Sequence, residues 1–257
     1  LTMNNKNGFV VLLALIAISS HAHAQPTSES GLPEQCLELG VEDHTMVIEY
    51  VLDNADTLYM YADDLDLDTE DRSFENLSYT LYTLLEVADF AEEPSYAMEA
   101  AAHCLEVLDA SAVNEETYQQ FLNVSGDISE ARELQEIFTI LEGFQESNMG
   151  HGVEEDGLAD AVTVAQRILD DGQATIYNAD LEVYSTVAMS TEGDPVSTEE
   201  DSNPALGMAK ADTKGAIVGG ISGCAVAGPG CLAAVLPSAA AGAIGGSVLE
   251  LLNNLWD

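Results

Sequence analysis

Apolar positions at helical spacing run through the first three quarters of the chain. Val47, Ile48, Val51, Leu52, Ala55, Leu58 and Ala62 recur at intervals of three and four and predict a helix over residues 41–65. Phe74, Leu77, Leu81, Leu84, Leu85 and Ala88 repeat the pattern over 74–90, and after Pro94 and Ser95 an alanine-rich stretch predicts a third helix over 96–108. Further helical stretches are expected at 115–124, 128–146, 154–170 and 174–189, with Gly126, Gly150, Gly152 and Gly172 as breaks. No strand-like alternation and no repeat of fixed period interrupts them. The expected fold is all-α, an irregular helical bundle.

From Ser190 the pattern stops. STEGDPVSTEEDSNP combines two prolines with a dense set of acids and no apolar period, the composition of a flexible linker, here residues 190–213. Beyond it the chemistry changes. Residues 215–249 contain no ionisable acid or base apart from Cys224 and Cys231. Gly215, Gly219 and Gly223 repeat every four residues, and Ala234, Ser238, Gly242 and Gly246 do the same after Gly228-Pro229-Gly230. Positions four apart share a helix face. Each glycine inside a water-exposed helix costs about 1 kcal/mol against alanine, so two such faces point to helices whose backbones must approach closely. A glycine-zipper helical hairpin over residues 214–257 is expected. Residues 215–228 would make about 21 Å of helix, short of a bilayer core. Residues 231–249 are long enough, but Pro237 interrupts them. Trp256 suits a membrane interface.

The start of the chain gives an address. Met3 is read as the initiating residue, Lys6 as a positive n-region, residues 9–18 as a ten-residue apolar run and Ala22-His23-Ala24 as an A-x-A cleavage site. Residues 1–24 are thus expected to be a cleavable signal peptide, too short in its apolar run to span a bilayer. The product would be secreted or periplasmic. The domains expected are residues 1–24, an acidic helical domain over 25–189, the linker over 190–213 and the hairpin over 214–257.

Charge sharpens the contrast between the two halves. The chain has 46 acids against six lysines and arginines, a formal net charge of −40. Only Asp212, Glu250 and Asp257 lie beyond Ala209. Such a field repels nucleic acid and anionic lipid, and suits a soluble exported protein, saline surroundings or a cationic partner.

Candidate chemistry is sparse. Export permits disulfides, and the four cysteines allow three connectivities. Cys224 and Cys231 flank a turn, so the simplest pairing joins them to each other and Cys36 to Cys104. Asp64, Asp66, Asp68 and Glu75 occupy carboxylate positions of a calcium loop, although Thr69 stands where the glycine belongs. The plain alternative is a solvated acidic loop. Glu99, His103 and Glu106 share a helix face, with a surface salt bridge as the simple account and a metal as the sharper one. No nucleophile elbow, Ser-x-x-Lys motif, phosphate loop or dinucleotide fingerprint occurs. No enzyme activity and no cofactor is expected.

The tail resembles class II bacteriocin peptides of the two-peptide type, which use G-x-x-x-G helices against target membranes. The order of export signal, long acidic domain and small-residue C-terminal peptide resembles that of microhalocin precursors, in which the upstream part serves as immunity protein. The resemblance covers residues 210–257. It implies a secreted precursor whose hairpin acts on lipid membranes, self-associating through Gly215, Gly219, Gly223, Ser238, Gly242 and Gly246, while the acidic domain shields it or confers immunity. The alternative is a periplasmic or envelope structural protein, anchored or oligomerised by the same tail. Tail release separates the two.

Overall fold

The computed structural model describes residues 31–54, 67–68, 70–87, 91–148, 157–175 and 204–256, without the side chains of residues 174, 175, 204 and 254–256. The signal-like segment and residues 176–203 lie outside these. The described residues are all-α. In chain order the helices are α1 (Glu34–Leu37), α2 (Val41–Asp53), α3 (Phe74–Val87), α4 (Glu92–Val107), α5 (Glu115–Glu130), α6 (Leu134–Asn148), α7 (Leu158–Thr175), α8 (Pro204–Ala227) and α9 (Cys231–Trp256). Short 3₁₀ turns cover Ala110–Ala112 and Gly228–Gly230.

Local chemistry sets several helix starts. The Asp43 carboxylate accepts the Gly40 N–H at 2.8 Å before α2. Asn114 Oδ1 accepts the Thr117 N–H at 2.9 Å and caps α5. Gly157, at φ +69°, turns the chain into α7 through a left-handed conformation. Pro94 falls in the first turn of α4 rather than before it. A missing N–H is harmless there, so the helix starts at Glu92, four residues ahead of the expected start.

Helices α8 and α9 form an antiparallel hairpin, and the other helices wrap it. Helix α7 packs chiefly on α8; α2, α3 and α4 pack on α9; α5 and α6 lie farther out and meet α8. The hairpin supplies Ile217, Ile221, Ile244, Val248, Leu251 and Leu252 to the interior, all fully buried. Val47, Ile48, Leu81, Met98, Leu105 and Ile168 close over them from the wrapping helices. The apolar tail is therefore the core of the bundle, and the acidic helices are its cover.

Several boundaries differ from the sequence reading. Residues 204–213, assigned to the linker, are the first ten residues of α8. Pro204 opens that helix, and Ala205, Met208, Ala209 and Asp212 follow at helical spacing, all buried. The preceding acids masked this short amphipathic start. Gly126 does not break α5, which buried Val124 and Ile128 hold on either side, and Gly172 does not break α7, which runs on to Thr175. Pro237 likewise lies inside α9. Val235 before it and Ala239 to Ala241 after it are buried, and packing overrides the lost backbone bond.

Candidate functional site

The hairpin seam is built where the sequence places its small residues. A Cβ added at Gly215 would collide with the carbonyl of Gly242, and one at Gly242 with the carbonyl of Gly215. At Gly219 it would strike the Ser238 carbonyl, and at Gly223 the Ser238 hydroxyl. Gly246 is looser, its Cβ falling 3.0 Å from the Ala211 carbonyl. Both faces are thus spent on each other within one chain. The backs of the helices are covered as well. Gly220 leaves 2.7 Å between an added Cβ and that of Ala161 on α7, and Gly245 faces Leu105 and Leu77 at 3.1 and 3.2 Å. By length and composition the hairpin contains a stretch apolar enough to cross a membrane, yet 83% of its most apolar window is buried inside the protein, in part against the partner helix of the hairpin.

The turn end of the hairpin is tied twice. A disulfide joins Cys224 to Cys231 across the 3₁₀ turn, with Cα atoms 4.0 Å apart. Gly157 sits directly under it, where an added Cβ would come within 2.5 Å of Cys224 Sγ and 3.1 Å of Cys231 Sγ. The second disulfide joins Cys36 of α1 to Cys104 of α4, Cα to Cα 5.0 Å, within the wrapping helices.

A polar tie at mid-hairpin joins residues far apart in sequence. His44 of α2, Asp212 of α8 and Ser247 of α9 are all fully buried. His44 Nε2 stands 3.2 Å from Asp212 Oδ1 and 3.5 Å from Ser247 Oγ. The carboxylate and the hydroxyl share one ring nitrogen. A catalytic relay would need them on opposite nitrogens, so the arrangement fixes α2 to both hairpin helices rather than preparing a nucleophile.

The remaining sequence candidates are scattered. Asp64 and Asp66 lie outside the described residues. Asp68 Oδ1 accepts the N–H groups of Glu70 and Asp71 at 3.0 and 3.1 Å, and Glu75 stands in the first turn of α3. These are turn and helix-start roles for carboxylates. His103 lies 3.8 Å from Glu99 and 3.4 Å from Glu106, and its Nδ1 is 2.7 Å from the Tyr82 hydroxyl. Burial, then the Glu106 and Glu99 charges, push the Tyr82 phenol well above its usual range. Among the described residues no group of three or more histidine, cysteine, aspartate or glutamate side chains is arranged to hold a metal ion.

No protein-family model, curated protein or solved structure matches this chain significantly.

Proposed function

We propose that the protein is an exported two-part molecule, bacteriocin-like, in which acidic helices keep a membrane-active glycine-zipper hairpin soluble and inactive until residues 190–203 are cut. The burial of the hairpin's most apolar stretch carries this reading. A surface apolar enough to enter lipid is covered by helices whose outer faces are strongly acidic, and a −40 chain repels anionic membranes while it stays intact. Lipid becomes the favourable solvent for the hairpin only after the cover is removed. The zipper contacts then hold the hairpin together, since lipid supplies no hydrophobic drive for helix pairing.

Dye release from phosphatidylglycerol-containing liposomes tests it. The intact oxidised chain should leave vesicles sealed, and a peptide of residues 204–257 should make them leak. Vesicles that stay sealed with both would refute the membrane activity.

The reading of a permanently assembled envelope protein is favoured by one observation: His44, Asp212 and Ser247 tie α2 to both hairpin helices through buried polar groups. Under that reading the hairpin never leaves. Mass spectrometry of culture supernatants and membrane fractions would then find only chains uncut between residues 190 and 214, whereas a precursor yields a free C-terminal fragment.

A further inference from the structure

Cations are scarce in this chain, and half of them meet in one place. Arg72, Lys210 and Lys214, three of the six lysines and arginines, line a cleft of about 710 Å³ between the hairpin and the cover. The volume lies within the range of about 300–1,000 Å³ typical of small-molecule sites. The apolar wall comes from Phe74 and Leu77 of α3, Tyr118 and Phe121 of α5, and Val218 of α8.

Three acids also line the cleft, and two are already engaged. Glu250 takes Arg72, at 2.7 Å. The Asp109 carboxylate is turned onto Ser111, accepting its N–H at 2.8 Å and its hydroxyl at 2.6 Å. Glu75 stands on the α3 side. Lys210 and Lys214 are one helical turn apart on α8. Their ammonium groups donate to the Ser129 carbonyl at 3.0 Å and the Ser129 hydroxyl at 3.3 Å. Among the described residues neither lysine reaches a carboxylate at ion-pair distance. Two neighbouring ammonium groups that rest on neutral oxygens among the described residues can take a further, negative partner.

We propose that this cleft binds an amphipathic anion, one negative head group on an apolar body, with the head at Lys210 and Lys214 and the body along Phe74, Leu77, Tyr118 and Phe121. Charge on Lys214 is disfavoured, chiefly by burial and then by Arg72, with Lys210 a smaller cause against the opposing pull of Glu250. A bound anion reverses that balance. The lysines and Val218 belong to the hairpin and the aromatic wall to the cover, so the ligand bridges the two parts. The inference stands whether or not the hairpin is membrane-active.

Isothermal titration of the full oxidised chain with laurate and dodecyl phosphate below their micellar concentrations, and with dodecanol below its solubility limit, tests it. Laurate or dodecyl phosphate should saturate at one molecule per chain, and the tighter of the two assigns the head to the carboxylate or the phosphate class. Dodecanol should bind at least tenfold more weakly, and the Lys210→Met/Lys214→Met variant should lose at least tenfold for the anion. Reductive methylation of the wild-type chain gives a readout that needs no variant to fold: the anion should protect Lys210 and Lys214, and dodecanol should not. Absence of saturable binding by either anion, equal affinity for dodecanol, or both lysines modified at an unchanged rate in saturating anion would overturn the proposal.

Discussion

The glycines of this chain divide by what stands opposite them. An added Cβ at Gly219 meets backbone, which cannot rotate away, whereas at Gly126 and Gly143 it meets nothing within 4 Å. Gly219→Ile should therefore destabilise the protein by about 3 kcal/mol or more, the upper range for overpacking. Gly126→Ala should stabilise it by about 0.5–1 kcal/mol through helix propensity and a less free unfolded chain. Chemical denaturation of the two variants checks both signs. Tyr82 gives the residue scale its pH dependence. Its phenol is raised in the folded protein, so the unfolded chain ionises first as pH climbs past about 10. Below that pH its contribution is fully present, and above it the contribution is lost as pH approaches the folded value. Wild type should lose stability between pH 9 and 11 more steeply than Tyr82→Phe, seen in urea midpoints.

Among elements, the disulfides are the sharpest contrast. The Cys36–Cys104 bridge closes 68 residues of sequence separation and the Cys224–Cys231 bridge only seven. Loop-closure entropy assigns them about 4 and about 2.5 kcal/mol, so Cys36→Ser/Cys104→Ser should lower the urea midpoint more than Cys224→Ser/Cys231→Ser. The turn bridge was readable from its spacing around Gly-Pro-Gly. Helix positions were readable too, because Val47, Ile48 and Val51, or Leu77, Leu81 and Leu84, carry a period that belongs to one element alone. The glycine repeat identified two close-packing faces for the same reason. What covers them was not readable. Periodicity states which face is buried but not against what, and Leu77 and Leu105 meeting Gly245 is a fact of tertiary order. His44 and Ser247 are 203 residues apart, and no local pattern announces such a pair. Gly157 could have been suspected only by knowing that a disulfide would rest on it. The acids before Pro204 hid the start of α8, since composition averaged over the stretch outweighed the buried positions that follow.

For the molecule as a whole, cover and core are mutually dependent. A fragment of residues 33–189 keeps the carboxylates but lacks the hairpin that Val47, Met98 and Ile168 close upon. Read from sequence alone, that half belongs to a separate acidic helical domain over residues 25–189. The packing predicts instead that it will show helical circular dichroism without a cooperative melt, and that adding a peptide of residues 204–257 will restore one. The intact chain, with its −40 charge, should melt at rising temperature as salt increases from 0.05 to 1 M, because screening relieves the repulsion among the covering helices.

The same dependence acquires a direction in time. The hairpin follows the helices it supports in chain order, so during synthesis the cover emerges before there is anything to cover. Completion of the fold waits for α8 and α9, however early α1 and α4 become joined by Cys36 and Cys104. Until then the half-made chain must remain dispersed with its apolar faces open, and its dense negative charge is what keeps neighbouring nascent copies apart.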